Sequence, residues 1–77
     1  MLIPERIAVE LTRNEALVLF EFLRRCDDEN EYSFVDQAEQ RVLWDVECVL
    51  QKQLVEIFSP EFGILLNAAR EQVRDPK

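Results

Sequence analysis

The sequence contains no histidine, and hydroxyl side chains are scarce: two serines, one threonine and one tyrosine in 77 residues. These residue types supply most general bases and many nucleophiles in enzymes. The sixteen acidic residues offer carboxylate pairs, but a pair without a neighbouring nucleophile or base does not make a reaction centre. We therefore predict that the protein is not an enzyme, and we identify no catalytic or cofactor-binding residues.

Cysteine is also rare, and its spacing matches no known cofactor motif. Cys26 and Cys48 lie 22 positions apart, with no C-x-x-C pair and no histidine to complete a zinc site. Two interpretations stay open: free thiols packed as small apolar side chains, or a single disulfide in an exported chain. Residues 1–6 show no basic region followed by an apolar stretch, and no run approaches the roughly 18 apolar residues of a membrane span. We expect a cytoplasmic protein with no membrane contact.

The acidic run in the middle of the chain partly matches a calcium-binding loop. Counting from Asp28, the first, third, ninth and twelfth positions of the EF-hand pattern fall on Asp28, Asn30, Asp36 and Glu39. However, Ser33 stands where the loop requires glycine for its sharp turn, and Asp36 and Glu39 are well placed to cap a helix. We predict no metal site, and a calcium-dependent regulator is a minor alternative.

Glycine and proline together occupy only four positions, while hydrophobic residues make up 48% of the chain. This composition favours collapse into a folded structure, and the length allows one domain, 1–77. The patterns predict a mainly α fold of three helices near 13–26, 34–55 and 60–74. Apolar and charged residues alternate over 6–11, which predicts an N-terminal extended arm. Pairing of this arm with residues 54–58 as a short two-stranded ribbon stays open.

Local signals mark where each helix begins. Thr12 stands three residues before Glu15, which is the spacing of a capping box. The second helix has two candidate starts, Ser33 and Asp36, which the sequence does not separate. For the third, Ser59 is the predicted N-cap, with proline in the first helical position.

The first two helices carry more apolar surface than a small monomer needs. At 100° per residue, the apolar side chains of the first helix cover about 260° of its circumference. The second helix has one broad apolar face, which we expect to pack in the core, and a thinner stripe on nearly the opposite side, formed by Trp44, Cys48 and Val55. The broad face consists of Val35, Ala38, Val42, Val46, Val49 and Leu50, and Leu43 and Leu54 widen it on one flank. Trp44 has two interpretations: an anchor of a dimer interface, or packing beneath its own chain, under the arm or residues 32–35. We predict a homodimer whose interface includes Leu17, Val18, Phe22, Trp44, Cys48 and Val55.

Charge is concentrated in the middle of the chain. The net charge of the whole chain is −7, and residues 27–61 contain ten acidic and two basic residues. A basic protein partner therefore suits this region, and nucleic acid is an unlikely ligand because binding to phosphates needs clustered Lys and Arg. The alternative is that the charge serves only solubility. The candidate acidic surface consists of Asp27, Asp28, Glu29 and Glu31.

Two resemblances bear on function. The run Leu11-Thr12-Arg13-Asn14-Glu15-Ala16-Leu17-Val18-Leu19 resembles the first helix of winged-helix regulators, which implies a helix-turn-helix module associated with transcription; the second helix, however, carries only Arg41 and Lys52. More broadly, residues 10–23, 36–44 and 54–56 resemble small acidic bacterial helical proteins of uncharacterised function. That resemblance implies a compact bacterial domain. Our leading hypothesis is a non-enzymatic protein–protein interaction module, with the helix-turn-helix module as the alternative.

Overall fold

The computed structural model describes residues 5–29 and 33–75, and it confirms a mainly α fold of three helices. Their bounds are α1 Arg13–Glu29, α2 Gln37–Gln53 and α3 Phe62–Val73, with a 3-10 helix over Val55–Phe58 between α2 and α3. Within the described residues there is no β-strand. The two-stranded ribbon is therefore not confirmed, because residues 55–58 adopt a 3-10 conformation and residues 7–12 have no regular secondary structure.

Helix α1 lies in the centre of the fold and packs against both other helices, α3 more extensively than α2. This position accounts for its wide apolar girth, because two sides of the helix are covered within one subunit. Five of the buried hydrophobic residues belong to α1: Ala16, Leu17, Phe20, Leu23 and Cys26. The other helices contribute Leu50, Leu66 and Ala69, and Leu54 adds a buried side chain at the end of α2.

The predicted start of α1 is confirmed by its hydrogen bonds. The Glu15 amide donates to Thr12 Oγ1 at 3.1 Å, and the Thr12 amide donates to Glu15 Oε1 at 2.8 Å, which is a complete capping box. The predicted end is wrong: α1 continues three residues past Cys26, through Asp27, Asp28 and Glu29. Acidic side chains in a last turn interact unfavourably with the helix dipole, so packing of the preceding turns outweighs this local cost.

Asp36, rather than Ser33, starts α2. Its carboxylate accepts from the Ala38 amide at 2.8 Å, and the Glu39 carboxylate accepts from the Val35 amide at 2.8 Å. At the start of α3 the predicted N-cap is wrong: the N-cap is Glu61, two residues after Ser59. The Ser59 hydroxyl accepts a hydrogen bond from the Glu61 amide at 3.1 Å. Ser59 and Pro60 thus form the turn before the helix.

Arg13 joins the beginning of α1 to the end of α2. Its guanidinium donates to both carboxylate oxygens of Glu56, with Nε 2.8 Å from Oε2, and to the Gln53 carbonyl oxygen at 3.2 Å. The Glu56 hydrogen bond raises the pKa of Arg13, and the Arg13 hydrogen bond lowers the pKa of Glu56. A cation at the last carbonyl groups of α2 also complements the helix dipole.

Candidate interaction site

The broad apolar face of α2, which we expected to pack in the core of the fold, is largely exposed. We call its exposed part the valine stripe; it consists of Val35, Ala38, Val42, Val46 and Val49. The prediction that this face packs in the core is wrong for these five residues. The prediction holds for Leu50 of this face and for Leu43 and Leu54 on its flank, which pack against the core and are centred roughly 100° further round the helix at 100° per residue.

The valine stripe is continuous along α2. Val35, Val42 and Val49 are seven residues apart, and they are 93%, 59% and 53% exposed. Val35 is held at the N-terminal end because its amide donates to the Glu39 carboxylate. A depression lies beside each end of the stripe: an apolar one lined by Phe34, Ala38, Val42 and Leu43, and a mixed one lined by Val49 and Leu50 together with Glu10, Arg13 and Gln53.

The amount of exposed surface is larger than expected for a monomer of this mass. The chain of 9.1 kDa exposes 6763 Å², whereas the scaling for folded monomers gives about 4,900 Å². The radius of gyration is 14.5 Å, against about 11.5 Å for a globular domain of this length. The irregular segment 5–12 contributes to both quantities, because every residue in it is exposed.

The structure places the six predicted interface residues in different surroundings. The prediction that Leu17 lies in an interface is wrong, because its side chain is 3% exposed and packs in the core of its own subunit. Val18 and Phe22 line a groove between α1 and α3, whereas Cys48 lines a separate depression with Phe58. Trp44 and Val55 are also exposed. These residues therefore do not form one face together, and the valine stripe is the surface that our interface prediction missed.

Trp44 lies at the junction of α1 and α2. Its indole Nε1–H donates to Asp27 Oδ1 at 3.3 Å, and the side chain remains partly exposed. This contact ties Trp44 to the end of α1, which is neither of the two arrangements that we weighed from the sequence. Cys26 is buried and Cys48 exposed, and both are free thiols.

The acidic surface is centred on the last turn of α1. Asp27, Asp28 and Glu29 are exposed there, and Glu31 lies outside the described residues. Partial burial, together with the negative charges of Asp27 and Asp28, raises the pKa of Glu47 on α2. Arg24 lies among these carboxylates; its hydrogen bond to Glu21, at 2.7 Å, is the largest contribution to its raised pKa. A basic partner for this surface stays a prediction.

Two of the four candidate calcium ligands are already engaged. The carboxylates of Asp36 and Glu39 cap the beginning of α2, while Asn30 lies outside the described residues. Across residues 5–29 and 33–75, no three Cys, Asp or Glu side chains are arranged to hold a metal ion.

The arginines required by the helix-turn-helix alternative are partly committed elsewhere. Arg13 is bonded to Glu56 and Arg24 to Glu21, whereas Arg25 and Arg70 line the groove between α1 and α3. A DNA-binding module would need one patch formed by Arg13, Arg24, Arg25, Arg70 and Arg74. Arg25 and Arg70 share a depression, and the helix-turn-helix module stays a prediction.

Comparison of the chain with protein-family models, curated proteins and solved structures gives no match. In the part of the chain that the structure describes, no helix has the length and apolarity needed to cross a lipid bilayer.

Proposed function

We propose that the protein is a non-enzymatic protein–protein interaction module of the cytoplasm that works as a homodimer, with the valine stripe of α2 as its self-association surface. The observation that carries the proposal is a face of apolar side chains that, among the described residues, stays exposed from Val35 along α2 to Val49. Exposed apolar patches of this kind mark interaction sites. Burying one face against its own copy is the simplest closed arrangement, since a twofold interface uses the same surface twice.

Charge favours a second copy as the occupant of this face. Two chains of net charge −7 repel each other, yet the charged residues flanking the stripe on α2 cancel: Arg41 and Lys52 against Glu39 and Asp45. The Arg41 guanidinium and the Asp45 carboxylate form a pair at 3.5 Å. The acidic surface at the end of α1 lies elsewhere, so the stripe is where two copies approach with least repulsion.

An antiparallel alignment of two α2 helices uses this pattern well. If the alignment is centred between Asp45 and Val46, Val42 of one copy lies opposite Val49 of the other, because both lie the same number of residues from the centre. The helix dipoles then also run in opposite directions, which is favourable.

The expected dimer is weak. Given their exposures, covering the four valines contributes about 4 to 7 kcal/mol per copy, at about 1.5 to 3 kcal/mol for a fully buried valine. Association costs about 4 to 15 kcal/mol in lost freedom of motion. The gain from two copies, about 8 to 14 kcal/mol, is of the same order as this cost, so we expect a reversible dimer.

Sedimentation equilibrium over a dilution series tests the proposal. We expect reversible dimers in the wild-type chain, a monomer for Val42→Lys with its helical circular dichroism intact, and unchanged dimers for Val55→Lys. Val55 is a matched control because it is an exposed valine, at 72%, that lies off the stripe. A wild-type chain that stays monomeric at millimolar concentration, or equal effects of the two lysine substitutions, contradicts the proposal.

A further inference from the structure

The groove between α1 and α3 is a second apolar surface, separate from the valine stripe. Its floor is formed by Val18, Leu19, Phe22 and Val73, and Arg25 and Arg70 stand at its edge. Its volume is about 440 Å³. Phe22 remains 48% exposed although it lies on the central helix, so α3 covers only part of this side of α1.

The two arginines of the groove have no carboxylate partner among the described residues. The Arg25 guanidinium lies over the Phe22 ring, 5.8 Å from its centroid, and Arg70 Nη1 donates to Asn67 Oδ1 at 3.2 Å. The ion pairs of residues 5–29 and 33–75 involve Arg13, Arg24 and Arg41. Glu15 also lines the groove, but its carboxylate is engaged by the Thr12 amide.

Arg25 and Arg70 share one groove, whereas the other described basic residues outside the ion pairs, Arg6, Lys52 and Arg74, do not line it. Here two guanidiniums, each able to bind a carboxylate through two parallel hydrogen bonds, border an apolar floor and face solvent. The groove is therefore complementary to a ligand that is apolar along its centre and negatively charged along its edge.

We infer that the α1–α3 groove binds an amphipathic helix of a partner protein, one whose apolar residues recur every three to four positions and are flanked by Asp or Glu. Apolar grooves between helices receive such helices through residues spaced at i, i+3, i+4 and i+7. Val18, Leu19, Phe22 and Val73 contact the apolar side chains, and Arg25 and Arg70 bind the flanking carboxylates. This inference rests on the proposed interaction function and states which kind of partner helix the protein binds. The binding residues lie outside the valine stripe.

A pair of synthetic peptides tests the inference. The first is a fluorescein-labelled helix of about 15 residues, the length at which isolated helices become marginally stable, with leucines at helical spacing and flanking glutamates. The second has lysine in place of each glutamate. We expect the glutamate peptide to bind the full chain and the lysine peptide to bind at least tenfold more weakly by fluorescence anisotropy. Binding of the glutamate peptide should weaken as salt is raised.

Variants locate the site. Arg25→Gln and Arg70→Gln are each expected to weaken binding of the glutamate peptide about two- to fivefold, the range for exposed ion pairs. The double variant Arg25→Glu/Arg70→Glu should bind the lysine peptide better than the glutamate peptide. Arg41→Glu, on α2, is the control and should change neither affinity. Val42→Lys should retain peptide binding while losing the dimer, so that the failure of one proposal is distinguishable from the failure of the other.

Four results overturn the inference. One is equal binding of the two peptides, and another is unchanged binding in the Arg25→Glu/Arg70→Glu variant that keeps wild-type circular dichroism. The third is binding to vesicles rich in anionic phospholipid that depends on the same two arginines in the absence of peptide binding, since that places a membrane surface in the groove. Loss of the dimer in the groove variants likewise assigns the groove to a second copy of the chain.

Discussion

Leu54 and Val55 are adjacent in the sequence, and the structure gives them opposite environments. Leu54 is 2% exposed and belongs to the core cluster, whereas Val55 is 72% exposed at the start of the 3-10 helix. We predict that Leu54→Ala strongly destabilises the domain and that Val55→Ala does not. The comparison tests whether the end of α2 closes the core, as the structure shows, or belongs to a strand at the edge of the fold.

The magnitude follows from burial. Truncating a buried leucine to alanine costs about 2 to 5 kcal/mol, and a domain of this size has at most about 3 to 5 kcal/mol of stability. In domains of 60 to 100 residues, 1 kcal/mol corresponds to about 4 to 8 °C in Tm. We therefore expect Leu54→Ala to lower the Tm by at least about 8 °C, or to unfold the domain at room temperature. An exposed substitution away from special features stays within about 0.5 kcal/mol, which limits Val55→Ala to about 4 °C.

Thermal unfolding followed by circular dichroism at low, fixed protein concentration measures both variants without a contribution from association. Urea unfolding provides a second measurement of the free energy of unfolding. Equal losses of Tm in the two variants, or a larger loss for Val55→Ala, would refute the assignment of Leu54 to the core.

Three further predictions concern charge and the backbone. Arg13→Gln should lower the free energy of unfolding at pH 7, and the difference from wild type should vanish as the pH falls from 4.5 through the lowered pKa of Glu56, because protonation ends the ion pair. Glu47→Gln should raise the free energy of unfolding at pH 7, because the raised pKa of Glu47 means that its charged form is disfavoured in the folded state. The difference from wild type should disappear as the pH falls through the raised pKa of Glu47 towards 4.5, because the wild-type carboxyl group is then protonated. Gly63→Ala should stabilise the domain by up to about 1 kcal/mol, since a Cβ atom there meets nothing within 4 Å.

Urea unfolding between pH 3 and pH 8 measures these effects, with Arg41→Gln as the control for the charge variants. Arg41 pairs with Asp45 at 3.5 Å, and both side chains are more than 60% exposed, so its loss should have little effect at any pH. The interpretation of Arg13 fails if its variant shows the same pH dependence as Arg41→Gln. If Glu47→Gln is no more stable than wild type at pH 7, then burial and the neighbouring charges do not disfavour the charged form of Glu47 as we expect. A destabilising Gly63→Ala contradicts the open environment at that position.

Signals that act over three or four residues were readable in the sequence. The capping box of Thr12 and Glu15 and the capping role of Asp36 depend on contacts between near neighbours, and both form as hydrogen bonds. The residue at which α1 ends could not be predicted from the sequence. Asp27, Asp28 and Glu29 are poor residues for a last turn, but α1 is held on two sides by α2 and α3, and that packing carries the helix through them.

The orientation of α2 was the most consequential feature that the sequence left open. The helix is apolar on more than one side, so its periodicity favoured the face of Val42, Val46 and Val49 as the core. In the structure the core is reached by one edge of that face, which carries Leu50 with Leu43 and Leu54. Which part of the face stays exposed depends on the side of α2 that α1 covers.

The sequence by itself determined a mainly α-helical fold, the residue at which α1 begins, and the scarcity of residues for chemistry, because each depends on composition or on neighbours a few positions apart. Tertiary structure alone decided that α1 occupies the centre, that Leu54 closes the core while the valine stripe stays uncovered, and that Arg25 and Arg70 border one groove. These features arise from contacts between residues distant in the chain, and a helix with several apolar sides does not encode which of them is covered.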